Sequence, residues 1–439
     1  VTAFRRSHGW AERPGAALCI IFLLVTAAAG ADRGPAPRGF DVERFDPAEV
    51  ERAAAAGRTV DLHFFDRSHP VRLEPSPVRA RHVRAAATSA TGERRAIYPA
   101  AARTFRGRVE GDPGSMVRLS VTARGLRGFV KSSEGWTFIE PLDPAAPAVG
   151  TPRHKVFTDG DLDPDFAAPC PEPAVFADEP ATSPAEAEAS PAAEPAAGDL
   201  RTLELAADAD FEFFSIHGSA AAAAAEIDAI VNMVDGIYEL ELGITIDLVH
   251  THVWEAEPDP FGSTEAQALL NEFRGHWNAN HGAIGRDTAH LFTGKNLDGG
   301  TIGLASLGTV CALSNAYGLS QDISSDVLMP LVVAHEIGHN LGAGHDPSSS
   351  TTRYIMYPSI GSMTLDEFSD GSRTQVANYV AGVSCLPEDG GPPPAPPPMP
   401  SPSGGGGGGP VDPVLLALAA AALLAARRNA GGTGRDDGR

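Results

Sequence analysis

Apolar residues recur along this chain with two different periods, and the change from one to the other divides it. Across residues 39–142 the segments VDLHFF, TFRGRVEG, SMVRLSVTA, GLRGFVKS and GWTFIEP follow one another closely, with Gly or Pro between them. Short runs punctuated in this way predict antiparallel strands, here a small β domain. From Leu203 onward a helical period appears. Ile227, Ile230, Val231, Val234, Ile237 and Tyr238 fall on one side of a helix predicted over 220–242. Ala268, Leu269, Phe273 and Trp277 do the same for a second over 264–280. LELAADADFEFF reads as a strand and a turn, and GITIDLVHTHVW as a β-branched strand. HLFTG, GTIGLASLG and the helical VLMPLVVAHEIGHNLG complete a β-α-β-α-β-β-α order. That order predicts an α/β fold, a mixed sheet with a motif-bearing helix at its end.

The remaining stretches lack such patterning. Residues 1–31 combine Arg5, Arg6 and Arg13 with the apolar run holding CIIFLLV, then small residues through Ala31. This is the order of an export signal, and the run is short of the roughly 20 residues a membrane span needs. Residues 167–198 are Pro, Ala and Glu with almost no aromatics, a linker composition. Residues 390–410 are a Pro/Gly-rich tether. Residues 411–439 hold a short apolar run closed by Arg427 and Arg428, which resembles bacterial C-terminal sorting tails. A plain C-terminal anchor is the alternative reading.

Charge sharpens the division. The chain of 439 residues has a net charge of -22. About -21 of it lies in residues 199–389, while 32–150 is mildly basic, about +4. An acidic chain repels nucleic acid, which excludes that partner class. A basic N-terminal half and an acidic C-terminal half suit a pro-segment (32–166) seated on an enzyme (199–389). Of the four cysteines, Cys19 lies in the apolar leader and Cys170 stands among prolines. Cys311 and Cys385 flank the motif below, a pair that an oxidising compartment would allow to join.

The candidate chemistry is concentrated in HEIGHNLGAGHD, residues 335–346. On a helix, positions four apart share a face, so His335 and His339 can present imidazole nitrogens to one ion. Glu336 then stands beside the metal, where a general base would take a proton from water. Gly342 can adopt positive φ, end the helix and let the chain return with His345 as third ligand. Three protein ligands leave a position open, the arrangement of a catalytic zinc site.

With Met356 in RYIMYPS eleven residues beyond His345, this pattern resembles the metzincin zinc proteases and their Met-turn. Asp346, ELAADADF, NMVDGIYELELGITIDLV, RDTAHLFTG and GLASLGTVC narrow the resemblance to the reprolysin (adamalysin or ADAM-like) branch, over residues 203–386. FRGRVEGDPGSMVRLSV and GLRGFVKS extend it into the pro-region. The resemblance implies a mostly parallel twisted sheet, an active-site helix and a Cys311–Cys385 disulfide. It implies an edge strand in GTIGLASLG that pairs with extended substrate. It also implies a structural calcium held by Glu204, Asp287 and the Cys385 carbonyl, with Glu388 where the family usually has Asn. Family members use a pro-region cysteine to block the zinc, a role that Cys170 would fill here. The alternative is an idle cysteine in a linker.

The expectation is therefore an exported, monomeric zinc metalloendopeptidase made as a proenzyme. Protein or peptide substrates and its own propeptide would be its partners, with the membrane reached only through the C-terminal segment, in a bacterial setting. A displayed binding protein that retains the fold without turnover is the alternative.

Overall fold

The computed structural model describes residues 37–97, 103–143, 151–163, 165–175, 200–323, 325, 327–362, 364 and 366–386. The expected leader, tether and apolar C-terminal segment lie outside these residues, as do most of the linker and Glu388. Among the described residues no helix is long and apolar enough to cross a membrane.

The first part of the chain carries β1 (Asp41–Arg44), α1 (Pro47–Ala55), β2 (Thr59–Phe64), β3 (Arg67–Pro75), β4 (Arg79–Thr88) and β5 (Arg94–Ala96). It continues with β6 (Thr104–Val109), β7 (Met116–Thr122), β8 (Gly125–Ser132), β9 (Gly135–Pro141) and β10 (Arg153–Thr158). Eight of these strands form an antiparallel sheet in the order β1-β10-β9-β8-β7-β6-β3-β2. The alternation that predicts it is plain in β2, where Val60, Leu62 and Phe64 are buried while Thr59, Asp61 and His63 are exposed. Helix α1 covers this core with Val50, Ala53 and Ala54. Asp46 caps it and Pro47 starts it, where a missing N–H does no harm.

The small β domain expected over residues 39–142 does not keep all of its strands in one sheet. Strands β4 and β5 leave the N-terminal sheet and extend the one formed by the C-terminal half. That half contains β12 (Arg201–Ala209), α2 (Phe211–His217), α3 (Ala220–Leu242), β13 (Ile244–Trp254), α4 (Ala266–Asn280) and β14 (Thr288–Thr293), reached through the short β11 (Ala167–Pro169). Then come β15 (Gly303–Ala305), β16 (Tyr317–Gln321), α5 (Leu328–Asn340), β17 (Ser359–Gly361) and α6 (Asp370–Gly382). Seven strands run in the order β15-β16-β14-β12-β13-β4-β5. From β16 to β4 every neighbour is parallel, and the outermost pair at each end is antiparallel. The mixed, mostly parallel sheet is therefore as expected, with a seam to the N-terminal part along β13 and β4.

The helix predicted over 220–242 has those limits, because Ser219 caps its start and Gly243, at φ 66°, ends it. Helix α4 begins at Ala266 rather than 264, since the Glu265 side chain accepts from the amides of Gln267 and Ala268. The turn read after LELAADAD is helix α2, capped by Asp210.

Helix α3 joins the two parts. One side packs on α5 and β13, while Asp228, Asn232, Asp235 and Glu239 recur along the other at helical spacing. Arg118 of β7 is buried against that polar side, with Nη1 3.2 Å from Asp235 and Nη2 2.5 Å from Glu239. A Cβ at Gly236 would lie 2.6 Å from Arg118 Nε, so the glycine makes room for the guanidinium. Asn232 donates to Leu119 O and to Ser120 Oγ, at 3.1 and 3.2 Å. Arg79 pairs with Asp228 and Arg127 with Glu226. The basic and acidic halves therefore meet through named ion pairs. Removing one partner of such a buried set leaves its carboxylates uncompensated. Arg118→Ala is expected to lower unfolding free energy by about 3–5 kcal/mol, measured by urea denaturation of the whole chain.

Candidate metal centre and cleft

Helix α5 is buried along its whole length, and Pro330 sits in its first turn, where no amide needs an intrahelical partner. Its last two turns carry His335 and His339. Gly342, at φ 90°, then turns the chain back and delivers His345. The three Nε2 atoms converge, with separations of 3.0, 3.2 and 3.3 Å. His335 Nδ1 lies 2.6 Å from Ile355 O, and His339 Nδ1 2.7 Å from Ala343 O. Each carbonyl can only accept, so the proton of each ring sits on Nδ1 and Nε2 offers a lone pair. Burial holds His335 in the neutral form, its pKa pushed down to about 3, and drives His339 well below the ordinary value. Lone pairs brought this close repel unless a cation lies between them. Three nitrogens bonded to one ion at about 2.0–2.1 Å come to about this spacing. The donor set fits zinc.

Glu336 lies one position from His335 and is buried, and neither of its oxygens has a hydrogen-bond partner among the described residues. Burial raises its pKa well above the usual carboxylate range. Gly303 of the edge strand makes space for it, since a Cβ there would come 2.3 Å from Glu336 Oε1. Met356 is buried under α5, and a Cβ at Gly338 would stand 2.7 Å from its sulfur. Tyr238 of α3 donates to Ala334 O at 2.7 Å and ties the helix to its neighbour just before the first ligand.

Residues 167–175, expected as linker, instead run through the cleft. Strand β11 pairs antiparallel with β17, and Cys170 N donates to Pro358 O at 3.1 Å. Further along, Ala174 N donates to Ala305 O at 2.8 Å, and Leu307 N donates to Ala174 O at 3.2 Å. The segment is thus held on both sides by backbone. Between these grips the buried Cys170 brings its sulfur within 4.8 Å of a His335 ring nitrogen and a Glu336 oxygen. Burial, then the nearby Glu336 carboxylate, pushes the Cys170 thiol well up. Glu172 Oε1 lies 3.4 Å from His345 Nδ1.

With this geometry in hand, comparison with known proteins is specific. The model of metallo-peptidase family M12, reprolysin type, matches residues 199–369. The likeness is confined to that segment, which is less than half of the chain. Two zinc metalloproteinase-disintegrin-like proteins of Gloydius brevicauda, brevilysin H2a and brevilysin H2b, are each 32% identical over 159 residues. The match takes in 34% of this chain and 37% of either relative, so the chain spans little more than a third of their length. Among solved structures, metalloproteinase-II from Bacteroides fragilis superposes with a TM-score of 0.44 at 14% identity. It covers 73% of this chain and 91% of that one.

The expected Cys311–Cys385 disulfide is present, with Cα atoms 5.8 Å apart and a separation of 74 residues, and Cys385 lies beyond the matched residues. Asp287, expected near calcium, lies beside Cys311 and Cys385. Its Oδ2 accepts from Glu204 N at 2.7 Å, so this carboxylate already has a structural task. The residues that reading by sequence missed are Gly303, Tyr238 and Glu172. Only Gly303 carried a signal, a glycine inside a strand pattern, which marks close approach of another group.

The trio makes a direct expectation. The whole chain should retain one zinc after dialysis, measured by atomic absorption, and His339→Ala should retain almost none, while exposed His63→Ala keeps the full complement. Equal retention in all three would remove the site.

Proposed function

We propose that the chain is a zinc-dependent endopeptidase made as a latent precursor and exported. The observation that carries this reading is the polypeptide already lying in the cleft. Residues 170–174 are held at one end by Pro358 O and at the other by the backbone of the edge strand while they pass His335, Glu336 and His345. A site that grips a peptide main chain beside a three-histidine centre is suited to cutting one.

Bound zinc would lower the pKa of water and polarise a scissile carbonyl. The rest falls to this chain. His335, His339 and His345 hold the ion, with Ile355 O and Ala343 O fixing two of the rings in the right tautomer. Ala305 O and Leu307 N, freed of Ala174, would align an incoming strand. Glu336, unencumbered by other hydrogen bonds, takes the proton from water and passes it to the leaving nitrogen. The segment around Cys170 blocks the same space, so residues 32–166 with this strap act as the propeptide. Cys311–Cys385 supports a place outside the cell, where disulfides persist.

Glu336→Ala is expected to keep its zinc and lose casein hydrolysis by at least about 100-fold, the usual scale of general-base loss. Wild-type turnover in that variant would sink the assignment. For latency, Cys170→Ala is expected to raise the initial rate of the intact chain on the same substrate. An unchanged rate would leave Cys170 as packing alone.

A further inference from the structure

The edge strand grips the strap through alternate residues, Ala305 by its carbonyl and Leu307 by its amide. The residue between them, Ser306, turns its own polar groups inward. Its amide donates to Tyr317 O at 3.0 Å, and its carbonyl accepts from Asn340 Nδ2 at 2.8 Å. Asn340 follows the ligand His339 directly in α5 and is fully buried. The same Nδ2 donates to Tyr317 O at 3.1 Å, while Oδ1 accepts from Thr288 Oγ1 at 2.9 Å. Two carbonyls on one side and a hydroxyl on the other fix which end of the amide is nitrogen. One side chain thus ties the last turn of the ligand-bearing helix to β14, β16 and the end of β15. Backbone contacts continue the tie, with Gly308 N to His339 O at 2.8 Å and Thr309 N to Asn340 O at 2.9 Å.

We propose that Asn340 is a positioning residue, setting the register between the metal ligands and the strand that holds substrate. The proposal rests on the peptidase reading and adds to it. Aspartate would set a carboxylate against the Ser306 and Tyr317 carbonyls, and leucine would leave the Ser306 carbonyl without its donor. Shifting Ser306 moves Ala305 O and Leu307 N with it, so the loss falls on binding of extended substrate, while the imidazoles keep their own anchors at Ile355 O and Ala343 O.

The test uses the full chain loaded with zinc. In Asn340→Asp, hydrogen exchange of residues 303–310 should quicken by about tenfold or more, the order expected from losing one buried hydrogen bond and leaving its acceptor unpaired. Exchange in β7 and the zinc content should stay at the wild-type level. Once the folded chains have been clipped to remove the residues before Asp199, KM for a long extended peptide should rise by about tenfold with kcat little changed, and a short peptide that does not reach the edge strand should be unaffected. Thr288→Val, which removes the hydroxyl shared between Asn340 Oδ1 and Ala316 O, should show the same pattern more weakly, and Thr288→Ser should restore it. Wild-type exchange in 303–310, or an equal loss on long and short peptides, would overturn the proposal. If the wild-type chain cleaves no peptide even after the residues before Asp199 are removed, the peptidase reading fails by itself, and strand exchange still decides the role of Asn340.

Discussion

Three imidazole Nε2 atoms meeting at about 3 Å form the constraint around which the rest of this structure is arranged. Unprotonated rings can be held there because carbonyls from the following loop take the Nδ1 protons of His335 and His339. The loop can reach because Gly342 turns the chain at positive φ, and because Met356 fits where Gly338 has no side chain. Glycines in this segment are therefore spatial requirements of the ligand set. The same logic extends to Gly303, which leaves room for the Glu336 carboxylate.

A second constraint governs how the two halves associate. Helix α3 would present acidic groups to water if β7, β8 and β4 were absent, and these strands answer with Arg118, Arg127 and Arg79. Ion pairing of this kind contributes specificity more than net stability, because each charge must first give up its water. The strap through the cleft is the end of that association nearest to the chemistry.

How much of this was legible beforehand follows from the range of each signal. The ligand set was legible because a helix brings residues four apart together whatever surrounds them, and one glycine accounts for the third ligand. Helix α3 was legible to the residue, since Ser219, Gly243 and the apolar spacing agree. The partner of β4 was not, because RARHVRAAAT alternates weakly and pairs with a strand some 170 positions later, beyond any local pattern. The strap was read as linker because Ala, Pro and Glu carry no periodicity. Its order comes from β17 and the edge strand, not from its own side chains. Helices α1 and α6 were missed because they bury only a few small or β-branched residues, such as Val376 and Val380 in α6. Asn340 stood inside the motif, yet nothing local shows that its amide reaches three strands.

The central claim is that the trio holds zinc for peptide hydrolysis under a removable cover. The most direct measurement follows hydrolysis of denatured casein as the segment before Asp199 is removed, with and without a zinc chelator. The account predicts cleavage that appears on removal, stops with the chelator and returns with added zinc. A folded, zinc-loaded chain that stays inert after the cover is gone would contradict it.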